Sequence, residues 1–178
     1  EQIRGTQTGI DDLAAAIKSG EEASRVSPFL WGTRRYINSL ARVIPPVDNA
    51  VRTSRVLARR AHVLVEDSDT ITEQQIELLD TLSRVCLELS EVYDVNSRVA
   101  QATVIPECVN ELRAAGQAAG MDIVPKDAVL SAYAILAQTR SLIVDLLMVC
   151  GMSRESALAA LVPTSTTPKY EPETFDFD

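Results

Sequence analysis

The sequence predicts an all-α fold, an antiparallel bundle of about five to six helices with a long, proline-interrupted second helix. Only 4% of the 178 residues are aromatic, whereas Ala, Leu and Val are abundant, and this composition favours helices over a β-sandwich or barrel. Glycine and proline are scarce, at 7 and 8 residues. Apolar residues recur at spacings of three and four, and a hydrophobic fraction of 46% is enough for a buried core.

Two long helices are predicted in the first third of the chain. The first covers about residues 2–25, where Ile10, Leu13 and Ile17 stand at helical spacing. The second covers about 29–65 and follows Ser27-Pro28, which has the pattern of an N-cap and a first helical residue. Its apolar stripe is Ile37, Leu40, Ile44, Val47, Val51, Ala58, Ala61 and Val65. Pro45-Pro46 predicts a kink or a break, because proline lacks the amide donor that a helix interior uses.

Four further helices are predicted after the polar turn at residues 66–69. Thr70-x-x-Glu73 has the pattern of a capping box and starts the third, about 71–103. A fourth covers about 106–119, a fifth about 126–149, and Ser153 caps a short sixth that ends near Leu161. The apolar stripe of the third is Leu78, Leu82, Val85, Leu89, Val92 and Val99; its acidic face carries Glu73, Glu77, Asp80, Glu88, Glu91 and Asp94.

The chain divides into two predicted parts. Residues 1–162 form the helical bundle domain, and residues 163–178, rich in Pro, Thr and acids, form an extended or disordered acidic C-terminal tail unless it docks. Phe175 and Phe177 in this tail fit a docking motif, although a frayed terminus is favoured. The most apolar segment, 128–152, contains Arg140 and Asp145 and is interpreted as a buried helix rather than a membrane span.

The net charge of -8 hides a strong segregation of charge. Residues 34–60 contain seven arginines and one acid, for a charge of +6, whereas residues 61–122 sum to -9. The two segments either face each other and the solvent, which is favoured, or turn the arginines toward anionic lipid headgroups or another anion. The acidity of the whole chain argues against nucleic acid as a partner.

Few residues suggest catalysis. Cys86, Cys108 and Cys150 lack metal or redox spacing and are predicted to be buried reduced thiols of a reducing compartment. His62 is the only histidine and is expected at a surface or interface. Nucleotide, zinc-protease and hydrolase motifs do not occur. The sequence therefore predicts no enzyme, no catalytic residue, no cofactor and no metal site.

Three stretches resemble the actinobacterial FUSC family, the fusaric-acid-resistance or aromatic-acid-exporter-like membrane proteins. They are residues 39–60, with the core Asp48-Asn49-x-x-Arg52-x-x-Arg55; residues 5–28, which look like the helix after the last membrane span; and residues 140–161, which look like the C-terminal helical pair. The resemblance implies that this chain is the C-terminal soluble domain of an integral membrane protein, at the cytoplasmic face of the cell membrane. The start at Glu1, without methionine, fits that expectation.

The resemblance implies partners and a family-like motif of unassigned role. The partners are the protein's own N-terminal transmembrane domain, further copies in a homo-oligomer, and an anionic membrane surface. The motif residues are Asp48, Asn49, Arg52 and Arg55. The face for anions or lipid headgroups, which the charge pattern rather than the resemblance predicts, is Arg52, Arg55, Arg59 and Arg60. From the residues alone, Asp48 and Asn49 are expected to restart the helix after the prolines, and Arg52 to pair with Asp48.

Three functional hypotheses follow. The first is the cytoplasmic domain of a FUSC-like transporter that exports aromatic acid-like or other organic anions, acting in assembly, regulation or gating. The second is a stand-alone helical adaptor or scaffold with no role in transport. The third, the least favoured, is an enzyme or small-ligand sensor, which predicts a polar pocket lined by Arg52, Arg55 or His62.

Overall fold

A computed structural model describes residues 2–26, 31–95 and 97–173, which form an all-α bundle of six helices with no strand among them. The helices are α1 (Gln2–Val26), α2 (Trp31–Glu66), α3 (Glu73–Val95), α4 (Arg98–Ala118), α5 (Leu130–Val149) and α6 (Arg154–Ala159). One 3-10 turn, Met121–Ile123, precedes α5. The predicted all-α fold class is confirmed.

Helix α5 forms the centre of the bundle. It packs against α2, α3, α4 and α6, while α1 packs on α2. Ile143 and Leu147 of α5 are fully buried, as is Val85 of α3. Among the described helices α5 alone has the length and composition to cross a membrane, but 61% of it is buried inside the bundle. A helix in the core of a protein has the same apolar composition as a membrane span, because protein covers every side of it.

The side-chain contacts fix the directions of the helices. Arg84 of α3 pairs with Glu111 of α4, and the Cys108 thiol donates a hydrogen bond to Glu88, so residue numbers rise in opposite directions along this hairpin. In contrast, α3 runs parallel to α5. The Gln75 amide near the start of α3 donates to the carbonyl of Ala132, and the Tyr93 hydroxyl near its end donates to that of Val149.

Helix α2 is continuous through Pro45 and Pro46, so of the two predicted alternatives the break is wrong, while the kink stays a prediction. The two prolines remove only the amide donors of residues 45 and 46, and long helical segments on both sides hold the axis. Pro46 is buried, and Val43 and Val47 pack against the core, so tertiary contacts fix this part of the helix.

The apolar pattern of α2 serves two neighbours. Ala50, Leu57 and Leu64 are buried in the central core, and none of these three belongs to the predicted stripe. The predicted stripe lies on the adjacent side, where Leu40, Ile44, Val47 and Val51 line a groove that α1 borders. Farther along this side, Ala58 and Val65 are exposed. The stripe was therefore correctly periodic but assigned to the wrong face of a helix that packs on two sides.

The predicted third helix is in fact two helices that meet at Ser97. The Ser97 hydroxyl accepts a hydrogen bond from the Ala100 amide and caps the start of α4. Pro106, expected at a helix start, lies inside α4. Val99 belongs to α4 and is 79% exposed, whereas the other five residues of the predicted stripe are buried in α3. Of the acidic face, Glu88 is half-buried and the other five residues are exposed.

The capping box of α3 lies two residues later than predicted. The backbone amide of Gln75 donates to the Thr72 hydroxyl, and the backbone amide of Thr72 donates to the side-chain oxygen of Gln75. Because Gln75 is buried and also bonds to Ala132, the cap is tied to the core. Thr70-x-x-Glu73 has the same pattern but lacks this tertiary contact, and α3 begins at Glu73 itself.

The C-terminal region follows the prediction more closely. Helix α5 begins at Leu130 rather than 126, and it ends at Val149 as predicted, with Gly151 in the left-handed region at φ 97°. Ser153 caps α6 by accepting from the Ser156 amide. The Glu173 amide donates to the carbonyl of Ala159. The division into bundle and tail at residue 162 stays a prediction; Ser27-Pro28, Phe175 and Phe177 lie outside the described residues.

Candidate functional site

The family-like motif forms part of a stripe along α2. Asp48, Arg52, Arg55 and Arg59 are three or four residues apart, which places them within about 60° around the helix axis. This side is opposite to Leu57 and its buried neighbours, which face the core. We call these four residues the arginine face. The structure therefore brings together four of the six residues that the sequence singled out.

Asn49 and Arg60 do not share that side. They lie about 100° around the axis from the arginine face, on the flank that also carries Arg42. All three side chains are exposed. The predicted anion face is thus split, with Arg52, Arg55 and Arg59 in one row and Arg60 beside it.

One ion pair anchors the arginine face. The Arg52 Nη2 lies 2.7 Å from the Asp48 Oδ2, at the predicted spacing of four residues. The predicted pairing is confirmed. The proposed restart of the helix by Asp48 and Asn49 is wrong, because α2 does not stop at the prolines and has no new N-terminus there. Arg52 remains 65% exposed, so most of its guanidinium still faces water.

The arginine face ends one turn before a histidine. His62 is exposed, and its Nε2 lies 3.4 Å from the Glu66 Oε1. Its surface position agrees with the sequence-based expectation. Asp48 and Glu66 therefore stand before and after a row of basic groups on α2. The row extends over about 10 Å from Arg52 to Arg59.

The chemistry available on the arginine face is anion binding. Guanidinium groups bind phosphate or carboxylate oxygens in pairs, with fixed geometry and permanent charge. Arg52 and Arg59 are exposed, while Arg55 is half-buried. Within residues 2–26, 31–95 and 97–173, no cluster of three His, Cys, Asp or Glu residues has the geometry to hold a metal ion.

The prediction of three buried thiols is confirmed for Cys108, only partly met at Cys150 and wrong for Cys86. Cys108 is buried and Cys150 half-buried, but Cys86 is exposed, and all three are free thiols. Burial raises the pKa of Cys108 to about 11, with help from the hydrogen bond to Glu88, and raises that of Cys150 to about 12. The pKa of Cys86 is also raised, because partial desolvation of its thiol disfavours the charged form. All three are therefore protonated and weakly nucleophilic at neutral pH.

Two features of the structure were missed by the sequence-based predictions. One is the partly buried hydrogen bond of 3.0 Å that the Thr53 hydroxyl of α2 donates to the Asp145 carboxylate of α5. The other is an apolar groove of about 540 Å³ between α1 and α3. The signal for the groove was present: Val43, Val47 and Val51 form a second apolar row beside that of Ala50 and Leu57. Neither the groove nor the cavity beside Arg140 and Arg154 is lined by Arg52, Arg55 or His62.

Comparison with known proteins gives one informative similarity. An uncharacterized protein of Corynebacterium glutamicum is 52% identical over 176 residues, which cover 99% of this chain and 45% of that protein. No protein-family model matches the chain, and no solved structure matches it. The chain thus spans less than half the length of the relative, in which the region matching the bundle is one part of a longer polypeptide.

Proposed function

We propose that this bundle is the cytoplasmic domain of a FUSC-like integral membrane transporter, and that it serves the assembly, regulation or gating of that transporter. The parent protein exports aromatic acid-like or other organic anions. The domain lies at the cytoplasmic face of the cell membrane, joined to an N-terminal transmembrane domain, and it assembles into a homo-oligomer. Transport itself belongs to the membrane half, and the bundle carries out no catalysis.

The observation that carries the proposal is the arginine face of α2. Arg52 and Arg59 are exposed in one row on the side of α2 away from the core, on a protein whose net charge is -8. Exposed guanidinium groups bind phosphate oxygens, and phospholipid headgroups supply a continuous plane of them. Each basic residue near such a plane contributes about 1 kcal/mol.

The length of the relative adds support. More than half of the Corynebacterium glutamicum protein lies outside its match to this chain. A transporter domain requires such an arrangement, because its membrane half is part of the same polypeptide. A stand-alone adaptor of this size does not require it.

Vesicle binding tests the membrane-facing role of the arginine face. The chain is expected to sediment with vesicles that contain phosphatidylglycerol and to stay in solution with phosphatidylcholine alone. Arg52→Gln and Arg59→Gln should each weaken binding about fivefold, which corresponds to about 1 kcal/mol. Arg84→Gln is the matched control, since Arg84 is also an exposed arginine in an ion pair, but on α3. Equal losses for Arg52→Gln and Arg84→Gln would contradict the proposal.

Experiments on the full-length parent protein distinguish the transporter hypothesis from the adaptor hypothesis. Its reading frame is expected to encode several apolar spans, and a reporter fused to the bundle should be active on the cytoplasmic side. Deletion of the bundle should reduce export of an aromatic acid from intact cells without removing the membrane half from the membrane. A parent reading frame without apolar spans would instead favour the adaptor.

A further inference from the structure

The groove between α1 and α3 is an apolar site that the arginine face does not use. Its floor is formed by α2 and α5, with Val47 and Leu146 among the lining side chains, and its walls are α1 and α3. The volume of about 540 Å³ falls within the range of about 300 to 1,000 Å³ that is typical of small-molecule sites. The groove is therefore large enough for a small organic ligand.

The groove leaves apolar surface uncovered. Val43, Ile44, Val47 and Val51 of α2 are only half-buried there, and Leu13 of α1 is 48% exposed. A contiguous row of apolar side chains is normally covered by neighbours, because exposed apolar area carries a hydration cost of about 25 cal/mol per Å². An apolar ligand that fills the groove recovers that free energy.

The polar groups of the groove define the charge of its ligand. Asp94, an exposed residue of α3, is the one charged side chain among the described residues that line the groove. The Cys86 thiol is neutral at pH 7, since the ordinary pKa of a thiol is above 7 and partial desolvation raises it further. The Tyr93 hydroxyl already donates a hydrogen bond to the carbonyl of Val149. Asp94 therefore favours a cation over a carboxylate at its own part of the groove.

We propose that this groove binds a hydrophobic amine, with its apolar part on α2 and its ammonium group at the Asp94 carboxylate. The site is separate from the arginine face, which binds anions. It also differs in charge preference from the organic anions assigned to the transporter, so the ligand of the groove is an effector of this domain rather than its cargo.

Fluorescence of N-phenyl-1-naphthylamine, an uncharged apolar probe, reports on the groove. Its emission is expected to rise on binding to the chain, with saturation at one probe per chain. 1-Naphthylmethylamine should displace the probe at a concentration about threefold to fivefold lower than 1-naphthalenemethanol, as expected for one solvent-exposed ion pair. 1-Naphthoate should displace it most weakly of the three.

Two variants test the location of the site. Ser90→Phe, on the groove wall of α3, should reduce probe binding at least tenfold by filling the space. Ser83→Phe is the matched control, an exposed serine two turns earlier on the same helix and outside the groove lining, and it should leave binding unchanged. Circular dichroism checks that both variants keep their helices.

A third variant tests the charge. Asp94→Asn should make the amine and the alcohol equally effective while the probe still binds. The proposal is overturned if the probe does not bind, if Ser83→Phe and Ser90→Phe reduce binding equally, or if 1-naphthoate competes as well as the amine. None of these outcomes bears on vesicle binding by the arginine face, so the two proposals fail independently.

Discussion

Asp145 places a carboxyl group among the buried side chains of the bundle. It is 7% exposed in the middle of α5 and accepts a hydrogen bond from Thr53 of α2. Burial raises the pKa of Asp145, while the hydrogen bond from Thr53 and the positive charge of Arg154 lower it, and burial is the largest of these effects. The folded state therefore holds a proton on Asp145 more tightly than the unfolded chain does.

This raised pKa predicts how stability depends on pH. A carboxyl with a raised pKa in the folded state stabilises the fold below its unfolded pKa, and that contribution is lost as the pH rises through the folded pKa. Asp145→Asn should remove this loss. The difference in melting temperature between this variant and the unsubstituted chain should therefore shift in favour of the variant from pH 4 to pH 7. Thermal unfolding at several pH values measures the difference. Asp80→Asn, at an exposed position, serves as the control and should show no such trend.

Removal of the Thr53 hydroxyl should destabilise the packing of α2 on α5 at neutral pH. Thr53→Val keeps the side-chain shape but leaves Asp145 without this donor, at a cost of about 1.5 to 3 kcal/mol while the carboxyl is ionised. The cost should fall at low pH, where the bond joins two neutral groups. Urea unfolding at pH 7 and pH 4 checks this, and equal losses at both pH values would contradict it.

Sequence spacing identified one of these polar pairs and missed the other. Asp48 and Arg52 are four residues apart on one helix, so their contact follows from helix geometry alone. Thr53 and Asp145 are 92 residues apart, and their contact depends on how α2 packs on α5. No local pattern encodes that packing. The same limit explains why the groove, which four helices form together, was not predicted.

Among the helices, the uninterrupted course of α2 shows how tertiary contacts override a local signal. Two adjacent prolines normally end or bend a helix, because they remove donors and crowd the preceding turn. Here the helix extends over 36 residues and packs on both α1 and α5. The packing free energy along both flanks exceeds the local cost at the prolines.

The two prolines should respond differently to replacement by alanine. Pro45 is exposed, so Pro45→Ala restores a backbone donor without loss of packing and should stabilise the protein by about 1 to 3 kcal/mol. Pro46 is buried, so Pro46→Ala also loses apolar contacts and should gain less. Urea unfolding monitored by circular dichroism compares them. A larger gain for Pro46→Ala would show that strain, rather than packing, dominates at this site.

Helix ends were predicted well where the stop or start is local. Ser153 before α6 and Gly151 after α5 act through their own backbone or side chain, and both were found. Ser97 also acts locally, but the apolar spacing continues across it and hid the boundary between α3 and α4. Pro106 then drew the predicted start of the next helix to the wrong place. Periodicity thus located the helical segments more reliably than the joint between two of them.

In the whole molecule, the segment after α6 is held against α4 and α5 by hydrogen bonds to its own backbone groups. The Val162 amide donates to the carbonyl of Gly116, and the Gln117 side chain donates to that of Ala160. Arg140 of α5 joins the carbonyls of Ala119 and Val162 through its two terminal nitrogens. Burial lowers the pKa of Arg140, yet a guanidinium keeps its charge at neutral pH.

Gly116 permits this close approach. A Cβ at residue 116 would lie 2.7 Å from the carbonyl oxygen of Ala160, a backbone atom that can yield only if the segment moves. Gly116→Ala should therefore destabilise the fold by about 1 to 3 kcal/mol and open residues 160–173 to proteolysis. Limited trypsin digestion, with cleavage after Lys169, measures the opening.

Gly9→Ala is the control for that substitution. A Cβ at residue 9 meets nothing within 4 Å, and the residue is exposed in α1. The change should stabilise α1 by about 0.5 to 1 kcal/mol through helix propensity. Similar destabilisation by Gly9→Ala and Gly116→Ala would show that close approach of the Ala160 carbonyl is not the cause.

The unbroken α2 also has a mechanical consequence. At 1.5 Å per residue its 36 residues make a rod about 54 Å long, with the floor of the groove along its middle and Arg59 toward its far end. A break at Pro45 and Pro46 would let the two halves turn separately. Because α2 is not broken there, one continuous helical backbone connects the floor of the groove to the arginine face.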